Sequence, residues 1–162
     1  LSDTYSQLGY QAESGPWRNF YLTGAQDLFK KNVPYTSKLI NDGVLSQMDM
    51  GTLLDYCAIQ LNGEKAGGKE AVININFTDT KEKVMLMLKN GVLNHRLGSQ
   101  DKKADLTMEI AKMDFVKLFF GRTDLQTLHK TNKVKTTGDT KAIDIIRSAC
   151  EPADPNFNIV LP

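Results

Sequence analysis

The stretch KVMLMLKNGVLNHRL, Lys83–Leu97, decides the fold. Asn90-Gly91 separates two alternating apolar runs, and both central residues of a type I′ turn need positive φ, which Asn and Gly adopt most readily. The spacing therefore predicts a strand over Lys83–Lys89 and its antiparallel return over Val92–Leu97. The first strand is apolar on both faces, with Val84, Leu86 and Leu88 on one and Met85 and Met87 on the other.

The surrounding sequence supplies partners for this hairpin. Ala71, Ile73, Ile75 and Phe77 alternate with Val72, Asn74 and Asn76, and Leu106, Met108 and Ile110 alternate with Asp105, Thr107 and Glu109. This is the period of half-buried strands. A fifth strand is expected over Lys133–Thr137. Helical spacing relates Met50, Leu53, Leu54, Cys57, Ala58 and Leu61 up to Asn62-Gly63, with Tyr56 and Ile59 on the opposite side for a second partner. Another helix carries Phe115, Leu118 and Phe119 and ends at Gly121. Thr123 is placed to cap a turn bearing Leu125 and Leu128, and Asp139 or Thr140 to cap a last helix with Ala142, Ile143, Ile146 and Cys150. These stripes are buried together by an α+β fold, a mainly antiparallel five-stranded sheet with helices covering one face.

Two helices are expected before this domain. One spans residues 3–12 with Asp3 as its cap, and one begins at Pro16, with Trp17, Phe20, Tyr21, Ala25 and Leu28 as an apolar stripe that reads as a packing surface. Asn32-Val33-Pro34 interrupts the pattern, because Pro34 removes a donor and drives Val33 out of helical geometry. The boundary is therefore set between a helical segment, 1–33, and a domain, 34–162. A short helix is expected around Lys38–Ile40, with Gly43 breaking it. The tail from Glu151, with its prolines, should run extended.

Composition excludes several classes of partner. With 20 basic and 19 acidic residues and a net charge of +1, the chain offers no broad field for nucleic acid or anionic membrane. The basic clusters Lys30-Lys31, Lys81/Lys83 and Lys102-Lys103 sit beside turns as solvated edges. No apolar run approaches the roughly 20 residues of a membrane span, and the opening LSDTYSQ has no signal-peptide pattern. A start without Met suggests an excised piece, so the compartment stays undecided. Cys57 and Cys150 lie in helical patterns as small apolar residues and leave the redox environment open.

Catalytic patterns are also missing. His95 and His129 are the only histidines, and neither has a carboxylate or second His at ligand spacing. Cys57 has no His nearby, no serine sits in a G-x-S-x-G elbow, and Gly63, Gly67 and Gly68 with Lys69 stand after a helix and before a strand, the reverse of a phosphate loop. What remains is a supply of adaptable apolar side chains: the methionines named above with Met113, and Phe115, Phe119 and Phe120. They suit either a dense core or a pocket for alkyl chains of variable length.

The segment QLGYQAESGPWRNFYLTGAQDL, Gln7–Leu28, resembles the end of the dimerisation domain and the start of the C-terminal domain of metallo-β-lactamase-type alkyl sulfatases. The likeness extends to the FNIVLP ending, Phe157–Pro162. The element order, with Gly138-Asp139 leading from the last strand into the last helix, resembles the sterol-carrier-protein-2 (SCP2) fold, which encloses lipid tunnels between sheet and helices. The resemblance implies that this chain is the last part of a homodimeric hydrolase. That enzyme would bind two zinc ions through a His-x-His-x-Asp-His motif in a catalytic domain absent here, with no cofactor in this part.

The function then implied is to hold or guide the alkyl chain of a sulfate ester, or a fatty acid, in an apolar site lined by Met50, Leu54, Leu86, Leu88, Met108, Ile110, Phe115 and Phe119. The alternative is a fully packed module that supports the catalytic domain or the dimer. A free-standing lipid carrier is a third reading, disfavoured by the aromatic lead-in Trp17–Leu28.

Overall fold

The computed structural model describes residues 1–30, 41–151 and 160. These fall into two units, residues 1–30 with Val160, and residues 41–151. The expected break at Asn32–Pro34, the short helix around Lys38–Ile40 and most of the tail beyond Glu151 lie outside the described residues.

The first unit contains α1 (Ser2–Gln11) and α2 (Gly15–Lys30). α1 starts one residue earlier than expected and has no side-chain cap; Asp3 lies inside its first turn. Close approach of the two helices depends on Gly9, because a Cβ there would stand 2.6 Å from Leu22 Cδ2. Ser2 Oγ donates to Ala25 O at 2.9 Å, and the Tyr5 and Tyr21 rings are 6.1 Å apart. Packing on α1 covers only one edge of the aromatic stripe: Ala25 is buried, whereas Trp17 and Phe20 stay 62% and 55% exposed. Val160 N donates to Asp27 Oδ2 at 3.1 Å.

The second unit begins with α3 (Asp42–Gln47), α4 (Met50–Ala58) and the single turn α5 (Gly63–Ala66). Each has a polar cap, as Asn41, Asp49 and Asn62 accept from Val44 N, Thr52 N and Glu64 N. Gly43 does not break the chain here. It occupies the first turn of α3, where the Asn41 cap offsets its backbone entropy. The amphipathic run expected to reach Asn62-Gly63 as one helix stops at Ala58, and Ile59 beyond it is 74% exposed.

The strands are β1 (Ala71–Phe77), β2 (Lys83–Lys89), β3 (Val92–Leu97), β4 (Leu106–Ile110) and β5 (Val134–Gly138); α6 (Lys112–Phe119) and α7 (Leu125–Lys130) lie between β4 and β5, and α8 (Lys141–Ser148) follows β5. The sheet order is β3-β2-β1-β4-β5. All neighbours pair antiparallel except β1 and β4, which are parallel. Asn90 and Gly91 take φ of 53° and 72°, as the hairpin turn demands. Asp124 rather than Thr123 caps α7, accepting from Thr127 N at 2.7 Å.

Register gives the sheet two different faces. Ile73 pairs with Leu86 and Leu106, and Ile75 with Val84 and Met108, so these residues share the inner face with Ala71, Phe77, Leu88 and Ile110. α4 and α8 pack against strands of this sheet, and the inner face forms one buried cluster with α4, α6 and α8. Asn74 pairs with Met85 and Thr107 on the outer face. There the 98–104 loop is held to the sheet by Asn74 Nδ2 donating to Asp101 O at 2.7 Å and Asp101 N donating to Asn74 Oδ1 at 3.0 Å. Met85 and Met87 therefore do not gather with Met108 and the phenylalanines, because strand alternation sends them to the opposite side.

Two polar ties fix the elements around the core. Lys112, buried at the start of α6, donates through Nζ to Ser46 O at 2.9 Å and to Met48 O, while its backbone N donates to Asp79. A buried ammonium is tolerable because fixed carbonyls replace its water. At the other end of the sheet, Asp105 O accepts from Asp139 N at 2.8 Å. A Cβ on Gly138, whose φ is 106°, would lie 2.3 Å from that oxygen. Gly138 is thus the residue that admits the turn into α8.

A candidate apolar cleft and its arginine

All eight sequence-predicted lining residues are buried, none more than 4% exposed. Leu86 and Leu88 come from β2, Met108 and Ile110 from β4, Met50 and Leu54 from α4, and Phe115 and Phe119 from α6. The fold brings them into one cluster. Phe119 also belongs to the wall of an open cleft, of about 420 Å³, with Tyr56, Gln60, Phe120, Gly121, Arg147, Cys150 and Glu151.

The cleft lies where the C-terminal ends of α4, α6 and α8 converge. Its floor is held by two backbone bonds, Asn62 N to Ala149 O and Glu151 N to Gln60 O, both 2.8 Å. An aromatic series leads inward from it. Tyr56 and Phe120 are 5.6 Å apart between ring centres, Phe120 and Phe119 5.4 Å, Phe119 and Phe115 5.9 Å, and Phe115 and Phe77 5.7 Å. Edge-to-face and tilted contacts of this kind favour the ring quadrupoles and place apolar surface continuously from solvent to sheet. Tyr56, expected to meet a second partner, meets Phe120.

The charged groups at the cleft are unequal. The Glu151 carboxylate takes its hydrogen bonds from Lys65 and from Asn62 Nδ2, and these hold its pKa below the usual range. Arg147 is less satisfied: its Nε is buried without a hydrogen-bond partner among the described residues, and Nη1 is 3.6 Å from Asp144, beyond hydrogen-bond reach. Burial pushes the Cys150 thiol up to about 11, and burial with the neighbouring Cys150 pushes Cys57 to about 12. Neither thiol is set up as a nucleophile.

The mouth of the cleft was not anticipated from sequence, although one signal existed. Arg147 follows Ile143 by four residues and so sits on the apolar side of α8. The histidines do not form a metal site. His95 Nδ1 is 3.7 Å from Asp55, His129 Nε2 is 3.1 Å from Thr136 Oγ1, and among the described residues no three His, Cys, Asp or Glu side chains converge to hold a metal. Among the described residues, no helix is long and apolar enough to cross a membrane.

The architecture is SCP2-like. The solved ubiquinone synthesis protein UbiJ-SCP2 superimposes with a TM-score of 0.50 at 14% identity, over 61% of this chain and 90% of that one. Residues 38–162 match the alkyl sulfatase C-terminal family, and the chain belongs to that family; residues 1–31 match the alkyl sulfatase dimerisation family. A linear primary-alkylsulfatase of Pseudomonas sp. is 38% identical over 99% of this chain and 24% of its own length. The solved stereoselective inverting sec-alkylsulfatase of Pseudomonas sp. has a TM-score of 0.83 at 34% identity, over 98% of this chain and 25% of that one. The chain thus spans about a quarter of these relatives.

Proposed function

We propose that this domain binds the apolar tail of an amphiphilic sulfate ester, or of a fatty acid, and guides the ester to a zinc catalytic domain elsewhere in a longer, homodimeric alkyl sulfatase. The observation that carries this reading is the aromatic series from Tyr56 to Phe77, which joins an open cleft to the inner face of the sheet. The tail would pass Phe119 and lie against Met50, Leu54, Leu86, Leu88, Met108, Ile110 and Phe115. Burial of each CH₂ contributes about 0.8 kcal/mol and needs no exact geometry, so a tail is a suitable handle. Residues 1–33 are assigned to the dimerisation domain and 34–162 to the tail-binding domain.

A second reading, a packed module that supports the catalytic domain or the dimer, draws on the nearly complete burial of the same eight residues. Thermal unfolding of the chain with octyl, decyl and dodecyl sulfates below micelle formation separates the two. Tail binding predicts a saturable rise in Tm, with affinity increasing about fourfold per CH₂ if each is fully buried. No saturable binding of any chain length would leave the packed module.

A further inference from the structure

Arg147 is an unusual wall for an apolar cleft. It stands on the apolar side of α8 beside Phe120, Gly121 and Cys150, its Nε is out of water, and no acceptor among the described residues meets that N–H. The unpaired Nε leaves the guanidinium short of acceptors, and the side chain as a whole stays 25% exposed, so an anionic acceptor in the cleft can reach the rest of the fork. Other charges nearby leave that role open. Both Glu151 oxygens are engaged, by Lys65 and Asn62, and Asp144 is largely exposed and 3.6 Å from Nη1. Gly121 lies directly beside the guanidinium, where a Cβ would make ordinary contact with Arg147 Nη2 at 3.7 Å.

We infer that Arg147 binds the singly charged head of an alkyl anion, a sulfate monoester or a carboxylate, at the mouth of the cleft while the tail runs inward along Phe120 and Phe119. The guanidinium fork matches the paired oxygens of either head. This inference rests on the tail-binding function and gives it a direction: the tail enters first, and the head stays at the surface where another domain can take it. Without Arg147 the cleft would accept neutral and anionic amphiphiles alike. With it the domain selects the charged ones.

Calorimetric titration of the full chain with decyl sulfate, decanoate and 1-decanol, below micelle formation, tests the assignment. The two anions should bind at least tenfold more tightly than the alcohol. Arg147→Gln should weaken both anions about tenfold, the expected loss for a charge-assisted hydrogen bond, and leave 1-decanol unchanged. Arg147→Lys should restore part of the affinity. Asp144→Asn, which removes the carboxylate 3.6 Å from Nη1, should strengthen binding of both anions several-fold in the presence of Arg147 and leave 1-decanol unchanged. Unchanged anion affinity in Arg147→Gln, or equal binding of anion and alcohol to the unaltered chain, would overturn the head-group site and leave tail binding standing. Absence of binding by all three probes would remove the tail-binding function itself. Should Arg147→Gln fail to fold, the Asp144→Asn titration decides, and no gain there counts against the site.

Discussion

Replacing Phe119 and Phe115 separately by Trp distinguishes a ring that borders open space from one locked in the core. Phe115 is fully buried, with Phe77 edge-on at 5.7 Å and Phe119 tilted at 5.9 Å. An indole there has no room, and overpacking of this kind costs on the order of 1–3 kcal/mol through displaced rotamers and backbone. Phe119 lies four residues on, one helical turn towards the C-terminus, and borders a cleft of about 420 Å³, into which the added ring can turn. Its cost should stay below about 1 kcal/mol, because no wall must move. Urea unfolding at equilibrium measures both, and a difference of about 1–2 kcal/mol should appear between midpoints at equal m-value. Under the tail-binding proposal the Phe119→Trp ring narrows the entry, so decyl sulfate should bind more weakly. Equal destabilisation by the two substitutions would show that Phe119 has no free side and would refute the connection between cleft and core.

Gly138→Ala should destabilise the chain by about 2–4 kcal/mol, from positive-φ strain and loss of the Asp105–Asp139 bond, and full stability in urea would contradict the 2.3 Å clash. Cys57 and Cys150, held up to about 12 and 11 from the usual 9.0, should resist iodoacetamide at pH 8 in the native state. Keeping both thiols neutral stabilises the fold fully below about pH 9, and this contribution is lost as pH rises through 11 to 12; a Cys57→Ala/Cys150→Ala variant should lose part of that alkaline slope. The chain by itself should release no sulfate from dodecyl sulfate with added zinc, and metal-dependent release above a mock-purified control would show chemistry in residues that form no recognised cluster.

The hairpin, the alternating strands and the inner-face residues were legible because a strand's two-residue period leaves a direct trace in sequence. Ile73, Leu86, Leu106 and Met108 follow it without exception, and register then brings them together. The parallel pairing of β1 with β4 left no such trace, since alternation reports faces and not neighbours. Pattern also misled where local geometry prevailed, as at Gly43, which the Asn41 cap keeps inside a helix, and at Met85, which is buried as its apolar character suggests but on the outer face, apart from the inner cluster. Lys112 was missed because its partners, Ser46 O and Met48 O, are backbone atoms of a distant segment. The cleft was hidden for the same reason. Tyr56, Phe120 and Arg147 come from three helix ends, and only the assembled fold makes them neighbours.

The proposed function requires an amphiphile to enter at this cleft and reach towards the sheet. The most direct measurement is a two-dimensional NMR titration of the chain, with methyl and amide resonances assigned, against dodecyl sulfate held below micelle formation. The account predicts saturable shifts at Tyr56, Phe119, Phe120, Arg147 and Cys150, followed inward by the methyls of Leu54, Leu86 and Met108, with the outer-face Met85 and Met87 unmoved. Shifts confined to the exposed side chains Trp17 and Phe20, or spread without saturation over the whole chain, would contradict it.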